Sequence, residues 1–365
     1  MIPKKYLLCR PRGGLNDTLT QISRCWRYAE TFNRELIIDT TRSSLCAPFS
    51  DYFLIHDSPI KIHPLLTSQL LTEINKLTCR PACLSGRASS YQTSYDQQDG
   101  FIEVLSGMPA RFDTLKDLTL FRDYPEELLI YDSCGGGMEA DYILPRLSFA
   151  ADIRKIIDSC TMELGSGYLA VHVRNTDYKT DYKRLFGKIR AHVRPHHKLL
   201  VCSDDSSVID YASSFFPCQI LSTKAQIIST DIVGAGHTES DPEKARLACI
   251  NSFIDLIALG KSSTFFYGTI NSAFNRNKST ETGKISFDRV EPGSVSGFSM
   301  LAQYLCMNKH LIGRLMSIPI SPSDHSANSN PIIRINLAGR RQTSLTKAKR
   351  VFIRLRDRLG CFPSA

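Results

Sequence analysis

The sequence predicts an α/β protein of two domains, and three observations carry that expectation. With 365 residues, 42% of them hydrophobic, the chain is long enough for two cores of ordinary size. Its second half alternates strand and helix, which implies a parallel sheet covered on both faces. Its opening is a single strand-loop-helix-strand unit.

In that opening unit, Tyr6–Cys9 is a short strand and Arg10-Pro11-Arg12-Gly13-Gly14 a turn. Leu15, Leu19, Ile22, Trp26, Ala29 and Phe32 then recur at helical spacing, and Glu35–Asp39 is the second strand. From about residue 40 to 140 the pattern is less regular, with a Ser- and Gln-bearing surface loop over residues 88–100. Leu128–Tyr131 is a strand, and Gly135-Gly136-Gly137 after it is the expected linker between domains. An N-terminal domain over residues 1–140 and a C-terminal domain over residues 141–320 follow. In the latter, strands are expected at Tyr168–Val173, Lys198–Cys202, Gln219–Leu221 and Thr264–Tyr267. Helices are expected near Phe149–Glu163, Ser206–Phe215, Pro242–Leu259 and Ser299–Met307.

The net charge of +9 implies a partner carrying negative charge: nucleic acid, anionic lipid or nucleotide sugar. No helix-turn-helix, RNA-binding or zinc motif accompanies the basic residues, which argues against nucleic acid. The twelve cysteines are dispersed and several lie in apolar runs, so they read as reduced, largely buried thiols of a cytoplasmic protein. Cys79 and Cys83 are close, but no second pair or His cluster stands at zinc spacing, so no metal is expected. The start has no signal-peptide pattern, and no apolar run approaches the length of a membrane span.

Three signals fall at the ends of expected strands, where open α/β folds bind ligands. The first is His172-Val173-Arg174-Asn175-Thr176-Asp177, whose guanidinium fork suits phosphate oxygens, although Arg174 and Asp177 would also serve as a local ion pair capping the next helix. The second is Cys202-Ser203-Asp204-Asp205, whose acids can accept from a base or a sugar hydroxyl or can cap the helix that follows. The third is Ser296-Gly297-Phe298-Ser299, hydroxyls and a glycine at a helix start, preceded by Asp255 on the helix leading toward it. In the N-terminal turn, Gly13 and Gly14 would let backbone N–H groups approach an anion, with Arg10 and Arg12 beside them; a plain tight turn fits the same residues.

In this order, these segments resemble the fucosyltransferase superfamily of α1,6-fucosyltransferases, nodulation fucosyltransferases and protein O-fucosyltransferases. The resemblance runs from Arg10-Pro11-Arg12-Gly13-Gly14-Leu15-Asn16-Asp17 through His172–Asp177 and Cys202–Asp205 to Asp255 and Ser296–Ser299. It implies a GT-B fold, two Rossmann-like domains facing a cleft, with the donor nucleotide held by the C-terminal one. It also implies inverting, metal-independent transfer from GDP-fucose to a glycan or lipid-linked oligosaccharide, as in bacterial surface-polysaccharide biosynthesis, with no cofactor. On that resemblance Arg174 meets the donor diphosphate, His172 aligns the nucleotide and Asp204 or Asp205 sits by the guanine or ribose. Asp255, Ser296, Phe298 and Ser299 complete the donor side. Gly13, Gly14 and Asn16 line the acceptor side, with Asp17 as base and Asp177, then Asp181, as alternatives. Nodulation-type enzymes carry a second arginine where Asn175 stands, and Asn271-Ser272-Ala273-Phe274 is a second match for the serine motif.

Residues 321–365 are expected to be a linker and a basic tail. Leu345, Val351, Phe352, Leu355 and Leu359 fall near one helical face among many Lys and Arg. Such a helix either lies on an anionic membrane, here the inner membrane, or docks on the protein itself. Three competing readings remain: a GT-B transferase of another nucleotide sugar, a basic nucleic-acid-binding protein, and an inactive glycan-binding scaffold.

Overall fold

A computed structural model of the chain describes residues 4–88, 91, 93–96, 100–103, 110–111, 120–133, 135–175, 178–223, 242–270, 295–317 and 332–335. The N-terminal sheet is built from β1 (Tyr6–Pro11), β2 (Glu35–Ile38), β4 (Ile62–His63), β5 (Cys79–Arg80) and β9 (Leu128–Ser133). Its order is β4-β2-β1-β9-β5, every pair parallel. Strand β3 (Phe53–Ile55) instead pairs antiparallel with β10 (Leu147–Phe149), and β6 (Thr93–Asp96), β7 (Gly100–Glu103) and β8 (Ala110–Arg111) form a small antiparallel sheet. The C-terminal sheet is also parallel, with β11 (Leu169–Val173) at its centre. Beside it run β12 (Lys198–Ser203) and β13 (Gln219–Leu221) on one side, β14 (Thr264–Gly268) and β15 (Ile332–Ile335) on the other.

Side-chain alternation gives each sheet its two cores. On β1, Leu7 and Cys9 face helix α1 (Leu15–Thr31) while Tyr6 and Leu8 face helix α2 (Ser68–Ile74) and its flanks. Helix α1 buries Leu19, Ile22, Cys25, Trp26 and Ala29, the stripe its spacing predicts. On β11, Leu169, Val171 and Val173 pack against α4 (Tyr182–Ile189) and α5 (Ser206–Phe215). Ala170 faces the opposite cluster, which includes α3 (Ala151–Thr161), α6 (Pro242–Lys261), α7 (Gly297–Met307) and α8 (Lys309–Met316).

That cluster continues without a break into the N-terminal domain. Phe253 of α6 meets Tyr52, Phe53 and Phe149 at ring-centroid distances of 5.5, 5.4 and 5.1 Å, so aromatic packing joins the domains.

Two expectations about organisation change. The glycine triplet lies on helix α1, where Gln21 Nε2 donates to the Gly135 carbonyl and Asn16 Nδ2 donates to that of Gly137 at 3.2 Å. The domain crossing therefore comes later, through β10. Secondly, the C-terminal sheet extends past residue 320, because Ile332–Ile335 is its edge strand rather than tail; the amphipathic stretch beyond it lies outside the described residues.

Candidate active site

Strands β11, β12 and β14 are in register, with Val173 opposite Ser203 and His172 opposite Tyr267, so their following loops emerge side by side. This is the ligand-binding edge of a parallel sheet. Here Arg174 Nη1 lies 3.0 Å from Asp204 Oδ2, while the Asn175 backbone N–H donates to Asp204 Oδ1 at 2.6 Å. Asn175 Nδ2 donates to Asp205 Oδ2 at 2.7 Å, stitching the two loops together. Asp205 also caps α5, accepting from the Ser207 N–H at 2.9 Å. Burial opposes its charge, but hydrogen bonds from Ser207 and Asn175 hold its carboxyl below the usual range. Asp181 similarly caps α4, accepting from the Arg184 N–H at 3.1 Å; Asp177 and the Asn271–Phe274 alternative lie outside the described residues.

His172 points into the core rather than into the loop, and its Nδ1 shares a 2.6 Å hydrogen bond with Ser299 Oγ. Phe298 stacks obliquely on it at 5.0 Å. Burial, reinforced by the charge of Arg174, pushes the imidazole down to about 3, so it is neutral at physiological pH. Asp255, on α6, accepts from Thr223 Oγ1 at 2.5 Å and meets the Cys202 thiol. Burial raises its carboxyl to about 6 despite those hydrogen bonds.

On the N-terminal side the turn residues are engaged by groups of the chain itself. Gly13 adopts φ +94°, which a side chain would strain. The Gly14 N–H donates to Asp17 Oδ2 at 3.3 Å, so a carboxylate of the chain itself caps α1. Arg10 and Arg12, the expected reinforcements, are each paired: Arg10 Nε with Asp39 Oδ2 at 2.7 Å, Arg12 with both oxygens of Asp132 at 2.8 and 3.0 Å. Asn16 is buried against Gly297, where an added Cβ would come within 2.9 Å of Asn16 Nδ2. The N-terminal turn and the serine segment, far apart in sequence, thus meet between the domains.

No family model matches the chain. It is similar to nodulation protein Z of Sinorhizobium fredii (strain NBRC 101917 / NGR234), with 24% identity over 322 residues covering 79% of this chain and 94% of that one. Its fold matches fucosyltransferase NodZ from Bradyrhizobium with a TM-score of 0.52 at 17% identity, over 83% of this chain and 94% of that one. A NodZ α-1,6-fucosyltransferase co-crystallised with GDP matches with a TM-score of 0.54 at 18% identity, over 83% and 93%. Over most of its length the chain is thus similar to nodulation-type fucosyltransferases and shares their fold. Its two parallel-sheet domains are the GT-B arrangement of those fucosyltransferases.

Within this fucosyltransferase fold, the structure brings together Arg174, Asp204 and Asp205 at one strand edge, and His172, Phe298 and Ser299 just beneath it. Sequence reasoning missed Thr223, Asp132, Arg42 and Tyr91. Asp132 had a visible signal, a carboxylate closing the apolar strand Leu128–Ser133. The other three had none, since their partners come from remote segments. Among the described residues no group of His, Cys, Asp or Glu is arranged to hold a metal ion, and no helix is long and apolar enough to cross a membrane.

Proposed function

We propose that the protein transfers fucose from GDP-fucose to a glycan or lipid-linked oligosaccharide, with inversion and without a metal ion. The observation that carries this reading is Arg174, held by Asp204 at the end of the central strand with a buried, neutral His172 two residues before it. Exchange of Asp204 for the donor diphosphate would let the guanidinium stabilise charge on the leaving nucleotide as the glycosidic bond breaks. A cation fixed there supplies what a divalent ion supplies elsewhere. Both Asp204 and Asp205 are already engaged by Arg174, Asn175 and the start of α5, which leaves them poorly suited to hold a metal.

For inversion the acceptor hydroxyl attacks from the face opposite the diphosphate and must lose a proton. Asp17 is our assignment for that base, because its turn meets the start of α7 through Asn16 and Gly297. Capping α1 is its second duty. The net charge of +9 is consistent with a lipid-linked acceptor at an anionic membrane.

A thermal-shift panel of GDP, GDP-fucose, GDP-mannose and UDP-sugars without divalent metal tests the reading, since a ligand bound only by the folded state raises Tm. GDP and GDP-fucose are expected to stabilise the protein, and GDP-fucose to release GDP on addition of acceptor. Stabilisation by UDP species alone, or an absolute requirement for manganese, overturns it.

A further inference from the structure

We propose that the N-terminal domain carries a separate oxyanion site centred on Arg42, which takes the carboxylate or phosphate of an acidic acceptor. The proposal deepens the transferase reading and rests on it for the word acceptor; the oxyanion site itself stands on its own observations.

Strands β1 and β9 end in Arg10, Arg12 and Asp132, and β2 is followed by Asp39 and the loop carrying Arg42. Arg10 is held by Asp39 through Nε and by the Ala88 carbonyl through Nη1 at 2.8 Å. Arg12 is held by Asp132 in a two-point fork, and the Tyr91 hydroxyl donates to the same carboxylate at 3.1 Å. Among the described residues Arg42 makes no ion pair of this kind. Its Nη2 donates to the Tyr91 carbonyl at 2.7 Å, and its guanidinium lies 5.2 Å from the Tyr91 ring, with that of Arg10 at 4.7 Å. Among the described residues its Nη1 is buried and finds no hydrogen-bond partner. Three guanidiniums thus gather around two carboxylates, and the third holds an unused charge-assisted donor.

A buried donor left unpaired costs free energy that a bound oxyanion recovers. The ordinary guanidinium value of Arg42 is pushed down by burial and by the charges of Arg10 and Arg12, the strain that a negative ligand relieves. The loop is also in the right place. The Ser44 N–H donates to the Gly13 carbonyl at 3.1 Å, tying the Arg42 loop to the turn that meets α7 through Asn16. The cluster therefore lies at the carboxyl edge of its own sheet, on the side where the two domains come together. A hydroxyl of a neutral sugar could accept from Nη1 but would leave the crowded positive charge unanswered; a uronate or a phosphate supplies both the acceptor and the charge.

The test is titration calorimetry at constant ionic strength on the full chain saturated with GDP, with inorganic phosphate, D-glucuronate and, as neutral control, D-glucose. At least one of the two anions is expected to bind, with Arg42→Gln weakening it about tenfold or more, the loss of one charge-assisted hydrogen bond, and Arg42→Lys weakening it less. Phosphate alone identifies a phosphorylated acceptor, glucuronate alone an acidic sugar. GDP affinity should be unchanged in Arg42→Gln, whose thermal melt reports folding independently. Anion binding that is indifferent to Arg42, equal binding of glucose, or no anion binding by the intact chain overturns the site. Failure of GDP to bind overturns the transferase reading instead, and the anion titration then proceeds without it.

Discussion

His172 Nδ1 and Ser299 Oγ, 127 positions apart in the chain, lie 2.6 Å apart inside the protein. This single contact joins the end of the central strand β11 to the first turn of α7, and thereby two motifs that sequence alone could only set in order. The hydroxyl gives the buried imidazole a hydrogen-bond partner.

The first prediction concerns acid stability. An unfolded His takes up a proton near 6.5, whereas folded His172 resists until about 3, so below 6.5 the unfolded state binds more protons. Stability is therefore unaffected by this group above 6.5 and falls as pH drops from 6.5 toward 3, by at most about 1.4 kcal/mol per pH unit. In urea unfolding the stability of His172→Gln relative to the natural chain should rise as pH falls from 7 to 5, so the two stability–pH slopes differ by up to about 1.4 kcal/mol per unit. Equal slopes would mean that the imidazole is not held neutral.

Asp255 gives the opposite sign. Its carboxyl titrates near 6 when folded and near 3.8 when unfolded, because burial disfavours the charge. The stabilisation of the protonated form is complete below 3.8 and is lost as pH rises through about 6. Asp255→Asn should remove that loss and raise stability at pH 7 by about 1–3 kcal/mol, provided the amide keeps the hydrogen bond from Thr223. A stability difference between Asp255→Asn and the natural chain that stays the same from pH 4 to pH 7 counts against it.

How much of this was legible beforehand follows from where each signal resides. The strands Leu169–Val173 and Gln219–Leu221 and the helix Ser206–Phe215 are local, set by apolar runs and by caps such as Asp205, and the sequence spacing predicts them to within a residue or two. The glycine triplet misled for a physical reason. Glycine runs mark both flexible links and close approaches, and here Gly136 leaves room for the Asp17 carboxylate, since a Cβ would fall 2.4 Å from Oδ1. The same ambiguity hides in arginines, whose charge is visible but whose partners are not: Arg10 and Arg12 looked available and are paired, while Arg42 drew no notice.

Arg174 should be the costliest position. Lysine keeps the charge but loses the fork that engages two oxygens at once. Arg174→Lys is expected to lower transfer by roughly a hundredfold with little change in Tm, since its present partner Asp204 is also held by the Asn175 N–H. Steady-state assay of GDP release with GDP-fucose measures it, and near-normal turnover would remove Arg174 from the donor site.

Asp17 separates two roles. As the cap of α1 it should cost about 1 kcal/mol when changed to Asn, visible as a modest fall in Tm. As the base it should in addition lower transfer by about a hundredfold, while hydrolysis of the donor by water, which does not need the same hydrogen bond to an acceptor, falls less. Loss of Tm without loss of transfer confines Asp17 to the helix cap.

The last prediction concerns the chain beyond β15, where basic residues from Arg340 to Arg358 are interspersed with Val351, Phe352 and Leu355. Each Lys or Arg near an anionic surface contributes on the order of 1 kcal/mol, so several together can hold the protein reversibly. A truncation that tests this must spare β15. Because Phe265–Gly268 of β14 pair with Ile332–Ile335, a cut after Asn330 would strip the edge of the C-terminal sheet and confuse unfolding with lost binding. A chain ending at Asn336 keeps that pairing. Co-sedimentation with phosphatidylserine-containing vesicles should be strong for the full chain at low salt, weak at high salt, and lost in the truncated chain. Equal sedimentation of both chains would assign the tail to packing on the protein.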